Sequence, residues 1–254
     1  MAQGKYFTKK VSPIIPVANM IDSDKSDNAF ANHDVLFNWT AFEIPKGSAL
    51  LRNVTLIVSG LHGARQSEIN IKLIFAKKYN GVAPGDLGTP NATANGTGWA
   101  KNVLGVMEFD NTDSTAASTD LFSIMQSGYE VAGDTKFGPG NFVIEGEEAN
   151  ANGTTTVYVA GITGGALNFS TNCLADGAIS LNSSTDITVS SNAQKCFDVG
   201  DVVLVHDSDT PIGTVSSLPD ATSIIIESTN GVAIADTDEI MPQSPVKLIL
   251  HLEK

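Results

Sequence analysis

Wherever this chain carries a hydrophobic pattern, the pattern mostly has period two. In VTLIVSG, Val54, Leu56 and Val58 alternate with Asn53, Thr55 and Ile57. In EINIKLIFAKK, Ile69, Ile71, Leu73 and Phe75 share one face. PVKLILHLEK sets Val246, Leu248, Leu250 and Leu252 against Lys247, Ile249, His251 and Glu253. Successive strand side chains point to opposite faces, so these runs predict half-buried antiparallel strands. DVLFNWTAFEIP predicts another, with Val35, Phe37 and Trp39 inward, and TTTVYVAGI a further one. Helix signals are scarce. The best is STDLFSIMQSG, where Thr119 caps and Gly128 closes a short helix.

Towards the C-terminal half the strand signals become short and closely spaced: GAISLN, DITVSS, DVVLVHD, IGTVSSL, SIIIES and VAIAD, with Gly, Asp and Pro between them. That texture predicts a small barrel or sandwich. Charge marks the same stretch. Residues 161–244 hold eleven Asp and Glu against one base, Lys195, so -10 of the chain's net charge of -13 lies there. The last strand resembles the earlier, longer ones. The expectation is therefore an all-β chain: a jelly-roll-like β-sandwich over 35–160 plus 245–254, with an acidic small β-barrel domain inserted at 161–244.

The N-terminal stretch MAQGKYFTKKVSPIIPVANMID fits neither unit. It is basic at Lys5, Lys9 and Lys10 in an acidic protein, and Pro13 and Pro16 bracket Ile14 and Ile15. Proline donates no backbone hydrogen bond and suits neither a central strand nor a helix interior. Residues 1–34 are expected to form an extended arm that docks on a partner chain through Lys5, Tyr6, Phe7, Lys9, Lys10, Pro13, Ile14, Ile15, Pro16 and Val17. The segment has no uninterrupted apolar core of a secretion signal, and no stretch is long and apolar enough to span a bilayer. A soluble protein made in a cytoplasm, without a membrane partner, is expected. Two further loops stand out: Tyr79 to Lys101, long and without periodic signal, and the polar connection Asp110 to Asp120.

The chain's 254 residues suffice for one large or two modest domains, and Gly, Asn, Ser and Thr favour strands and turns. Cys173 and Cys196 are too few for a disulfide scaffold and match no zinc spacing; two buried free thiols are expected rather than a cross-strand bridge. The glycines at 81, 85 and 88 lack the order of a phosphate loop. His33, His62, His206 and His251 show no ligand spacing, and the Asp residues beside His206 read as a hairpin end. The acidic runs at 22–27, 145–148 and 235–239 miss the spacing of a calcium loop. No nucleophile elbow is present. The expectation is no catalytic site, no metal and no cofactor. A basic face for nucleic acid is missing too. The seven sequons (Asn38, Asn53, Asn91, Asn95, Asn152, Asn168, Asn182) reflect an Asn/Ser/Thr-rich composition.

One block carries a resemblance: CFDVGDVVLVHDSDTPIGTVSSLPDATSIIIESTNGVAIADTDEIM. Its F-x-V-G-D-x-V opening, followed by I-G-T-V and S-I-x-I, resembles small β-barrel modules in structural proteins of tailed bacteriophages. A leader followed by a β-sandwich is similar in layout to head decoration, or cement, proteins. The resemblance implies a non-enzymatic virion protein on the outer surface of the capsid, bridging subunits of the major capsid protein, and a homo-oligomer, most simply a trimer. A tail or baseplate protein is the alternative in the same setting. A carbohydrate-binding attachment module is the alternative of another class, and burial of Trp39 and Trp99 would count against it.

Overall fold

The computed structural model describes residues 5–16, 20, 29–66, 69–110, 122–126, 142–147, 151–206 and 208–254. In chain order its strands are β1 (Tyr6–Val11), β2 (Val35–Pro45), β3 (Ser48–Ser59), β4 (Ile71–Lys77), β5 (Val103–Phe109), β6 (Phe122–Gln126), β7 (Phe142–Glu145) and β8 (Thr154–Thr163). Then come β9 (Asp186–Thr188), the one-turn helix α1 (Ala193–Cys196), β10 (Val202–Val205), β11 (Ser208–Asp220), β12 (Ser223–Ile226), β13 (Ile240–Pro242) and β14 (Val246–Glu253).

The protein is an all-β sandwich. One sheet runs β1-β14-β3-β6, with β7 also on β3, and the facing sheet runs β2-β8-β4-β5. All their named pairings are antiparallel. This order is the jelly-roll arrangement of two Greek keys. The last strand, β14, lies between β1 and β3, so the sheet closes only after residues 164–245 have been traversed. The apolar positions read from the sequence fill the space between the sheets: Val54, Leu56 and Val58 from β3, Ile71, Leu73 and Phe75 from β4, and Val246, Leu248, Leu250 and Leu252 from β14.

Two expectations about these strands are corrected. Phe37 faces the interior, but Val35 and Trp39 lie in a separate cluster on the other side of the sheet. The pairing of β2 with β8 slips between Val35 and Phe37 and again between Phe37 and Thr40. Each slip breaks the alternation, so Leu36 and Phe37 both reach the core and Phe42 and Ile44 rejoin it. Opposite the Phe37 ring sits Gly161, where a Cβ would come within 2.4 Å of the ring. Secondly, the stretch expected to form a helix contributes β6, paired with residues 55–59 of β3. Met125 is buried in the sandwich core, and that packing outweighs local capping signals. Thr119 and Gly128 lie outside the described residues, as does the connection 111–120.

The 79–101 loop is not a bare connection. Leu87, Ala94 and Trp99 lie with Val35, Trp39 and Ile74 against the outer face of the β2-β8-β4-β5 sheet. Its limbs pack backbone to backbone: a Cβ on Gly96 would meet the carbonyl oxygen of Asp86.

The strands of the acidic stretch form a third sheet, β13-β10-β11-β12-β9, with a core of its own that includes Val203, Val205, Val215, Ile224 and Ile240. Residues 173–176 close it into a barrel. Ala175 donates to the Asp238 carbonyl on one edge, while Ser190 donates to Leu174 and Asp176 to Thr188 on the other. GAISLN and VAIAD contribute the single bridge Ile179–Ile234 rather than strands. The boundary expected at residue 161 moves. β8 continues to Thr163, and Leu167 and Phe169 belong to the sandwich core, so the barrel's own core begins at Cys173. Leu204 and Met241 of the barrel reach back into the sandwich core.

Candidate partner-binding surface

The basic N-terminal segment folds back on its own sandwich. This corrects the expectation of an arm apart from it, as far as the segment is described. Tyr6–Val11 pairs with β14 without a register shift, from Tyr6 opposite Glu253 to Val11 opposite Leu248. Phe7, Lys9 and Val11 turn inward and Tyr6, Thr8 and Lys10 outward, and this alternation makes the strand. Phe7 packs on the core, and Val11 and Ile15 lie in it. The prolines follow β1, where no ladder bond is needed of them: Pro13 is buried, Pro16 half-buried, and Ile15 donates to the Gln243 carbonyl.

The ten residues expected to meet a partner therefore divide. Phe7, Pro13 and Ile15 are committed to their own chain, and Lys9 and Pro16 are half-buried. Lys5, Tyr6, Lys10 and Ile14 remain on the outside, with Tyr6 70% and Ile14 58% exposed. Val17 lies outside the described residues. What remains is an exposed basic and aromatic strip along the edge strand of a sheet.

The other candidates resolve into structural roles. The indole N–H of Trp39 donates to the Gly85 carbonyl at 2.7 Å and that of Trp99 to Gly96 at 2.8 Å, with the rings 6.3 Å apart. Both are half-buried and belong to the loop that covers the sheet, which counts against an open sugar platform there. Asp86 in that loop is held below the usual carboxylate range by the Gly88 N–H and the Asn38 amide. His251 lies 3.2 Å from the Thr55 hydroxyl across β14 and β3. His62 lies 3.2 Å from the Ser170 hydroxyl. Among the described residues no group of three or more His, Cys, Asp or Glu side chains could hold a metal ion.

The acidic run at 235–239 is not a solvated surface. Asp238 and Glu239 are buried. One oxygen of Glu239 accepts from the Ser170 hydroxyl (2.8 Å), the Thr171 N–H (2.5 Å) and hydroxyl (3.1 Å), and the Asn172 N–H (2.9 Å). His206, also buried, lies 3.5 Å from Asp238 by Nδ1. Asp207 beside it lies outside the described residues. These groups pin the start of the barrel to its end. Nothing local in ADTDE signals this, because the donors lie about seventy residues earlier.

The G-D of the F-x-V-G-D-x-V block likewise has a joining role. Gly200 takes a positive φ of 91°, and Asp201 accepts from Lys247 of β14 at 2.5 Å. No protein-family model and no curated protein matches the sequence.

Proposed function

We propose that the protein is a non-enzymatic structural component of a tailed-bacteriophage particle, decorating the outside of the capsid and bridging subunits of the major capsid protein. The observation that carries this reading is the segregation of charge on the fold. A basic, aromatic strip with Lys5, Tyr6, Lys10 and Ile14 lies along one edge strand of a sandwich, and a barrel within the -10 stretch is inserted before that sandwich's last strand. Such a molecule can lay its basic strip on an acidic shell and turn like charge outward, which keeps particles apart. Jelly rolls occur in viral capsid proteins and also in lectins, so the fold adds an analogy and not an independent proof.

Deleting the N-terminal residues is a poor test, because it removes Val11 and Ile15 from the core. Charge reversal at exposed positions is better. Lys5→Glu/Lys10→Glu should keep the melting temperature of the parent and weaken co-sedimentation with capsids stripped of surface proteins by at least about tenfold. Parent binding should also fall as salt rises. Equal binding of the variant and the parent overturns the reading. Difference imaging of intact particles that places the protein on the tail would favour the baseplate alternative.

A further inference from the structure

We infer that β1 is a self-complementary edge through which two copies of this chain pair, antiparallel and centred on Thr8, to join their sandwiches into one continuous sheet. The inference does not depend on the proposed capsid role: both use the strip on β1, which a second copy covers in the isolated protein and a shell would have to compete for, and the tests below use the isolated protein.

It starts from the phase of the hydrogen bonds. Lys5 donates to the Lys254 carbonyl at 3.2 Å and Lys254 donates back to Lys5 at 3.0 Å, so this is a pair that exchanges both bonds. The register continues unbroken to Val11. Antiparallel ladders alternate, so residues 7, 9 and 11 also turn their backbone groups toward β14. Tyr6, Thr8 and Lys10 therefore turn theirs to the other side. β1 is the terminal strand of its sheet, and among the described residues no strand pairs with that side.

A sheet edge of this kind is a template for another strand. Two lysines in a short strand, Lys9 and Lys10, with Lys5 just before it, ordinarily discourage such pairing, so register decides whether it can occur. Centred on Thr8, the two-fold sets Thr8 opposite Thr8, Tyr6 opposite Lys10 and Lys10 opposite Tyr6. Each is a pair of edge-facing residues, so each exchanges both hydrogen bonds. Between them Phe7 falls opposite Lys9, and Lys5 opposite Val11. No lysine directly faces a lysine. Each instead lies against an aromatic ring or an aliphatic side chain, where an ammonium and its stem are well placed.

Other registers do worse. Centring on Lys10 sets Lys10 against Lys10, and centring on Tyr6 leaves Lys10 without a partner on β1. The Thr8 register also covers Tyr6, the most exposed large apolar side chain among the described residues, with the partner's Lys10 stem. A strand from a protein of other sequence would lack this reciprocal match. A closed trimer would need a second, different edge complementary to β1.

Sedimentation of the intact protein over a range up to about 100 μM should show a reversible dimer. Thr8→Pro should abolish it. That residue's N–H points away from β14, so the variant should keep the parent's circular dichroism and melting temperature. As an independent readout, Thr8→Cys should form a disulfide-linked dimer under mild oxidation. In the proposed register the two Thr8 Cα atoms lie about 5.5 Å apart, within disulfide reach. Tyr6→Cys should not, because the two Tyr6 positions are offset by four residues, about 13 Å. The native Cys173 and Cys196 are buried and should not take part. A monomer throughout, a trimer, a dimer that survives Thr8→Pro, or equal cross-linking of the two cysteine variants would each overturn the inference. If Thr8→Pro fails to fold, the cross-linking contrast alone decides.

Discussion

The sandwich and the barrel reach the same end, a buried apolar core, by different means. The sandwich uses strands of up to twelve residues whose alternating side chains supply the interior directly. In the barrel β11 is thirteen residues long but slips in register against both β10 and β12, while β9 and β13 are only three residues long and β10 and β12 four. Strands that short bury little per element, and buried polar side chains tie its loops together. Asn230 is fully buried. Its carbonyl accepts from the N–H groups of Ser183 and Ser184, and its amide donates to the carbonyls of Ser180 and Val232. Glu239 ties residues 170–172 as an acceptor alone. The sandwich should therefore be most sensitive to lost volume, and the barrel to lost hydrogen-bond acceptors.

The largest effect is expected in the sandwich. Phe37→Ala removes a fully buried ring that packs over Gly161. A loss of about 3–5 kcal/mol is expected by urea denaturation. A loss below about 1 kcal/mol would show that the bulged β2 is not a fixed part of the core. In the barrel the matching change is Glu239→Ala. It removes little apolar volume, but it leaves the N–H groups of Thr171 and Asn172 and the Ser170 hydroxyl without this acceptor, while the Thr171 hydroxyl keeps the Ile240 carbonyl at 2.7 Å. About 3 kcal/mol is expected, with Glu239→Gln recovering more than half because its carbonyl can still accept. Equal losses for Ala and Gln would assign the effect to charge instead.

This contrast also explains what was legible in the sequence. Alternation is a local signal, so the strand faces of β3, β4 and β14 could be read from single segments. The inward set of β2 could not, because its slips against β8 depend on the partner strand. The helix expected near Thr119 failed for a similar reason: residues 122–126 gain a ladder on β3 that no local window contains. Among the candidate binding residues, the exposure of Tyr6 and Lys10 follows from period two, whereas Lys5 shares the phase of Phe7 and is exposed because it precedes the strand. The burial of Ile15 does not, because it depends on Gln243 and β14 being beside it. Glu239 and Asn230 left no trace, since an acid or an amide between turn residues reads as solvent-facing until its donors are known.

The joint between the two regions should give an intermediate effect. Lys247 lies on β14, is 7% exposed, and its ammonium meets Asp201 at 2.5 Å and Asp198 at 3.5 Å. Lys247→Met leaves the well-buried Asp201 carboxylate without its cation. Asp198 is largely exposed, and the Asp198 N–H still donates to Asp201, so the loss should be about 2 kcal/mol rather than the full cost of a broken buried pair. Lys247→Met/Asp201→Asn should recover most of it, because the stranded charge is removed. A double variant as unstable as the sum of two singles would mean that the two side chains do not act as a pair.

The smallest effect is a pH dependence confined to the barrel. Cys196 is buried beside Cys173, and loss of solvation, reinforced by the nearby Glu239 carboxylate, pushes its pKa from 9.0 up to about 12. Cys173 is raised as well, chiefly by burial and then by Cys196 and Glu239. A thiol so held is neutral in the native state. Below about pH 9 the folded and unfolded chains both keep the Cys196 proton, and its contribution is fully present. Above that value the unfolded chain releases the proton while the folded one retains it, so stability falls as pH rises toward 12. At pH 10 the loss from this group should be about 1.4 kcal/mol. Urea midpoints of the parent and of Cys196→Ala, measured at pH 8 and pH 10, isolate it, since other groups titrate in both. The variant starts less stable because a cavity replaces the sulfur, but it should lose less between the two pH values. Matched losses would mean that the folded barrel admits solvent to Cys196. Native protein should then also react with a thiol reagent at pH 8, where a closed barrel reacts only after unfolding.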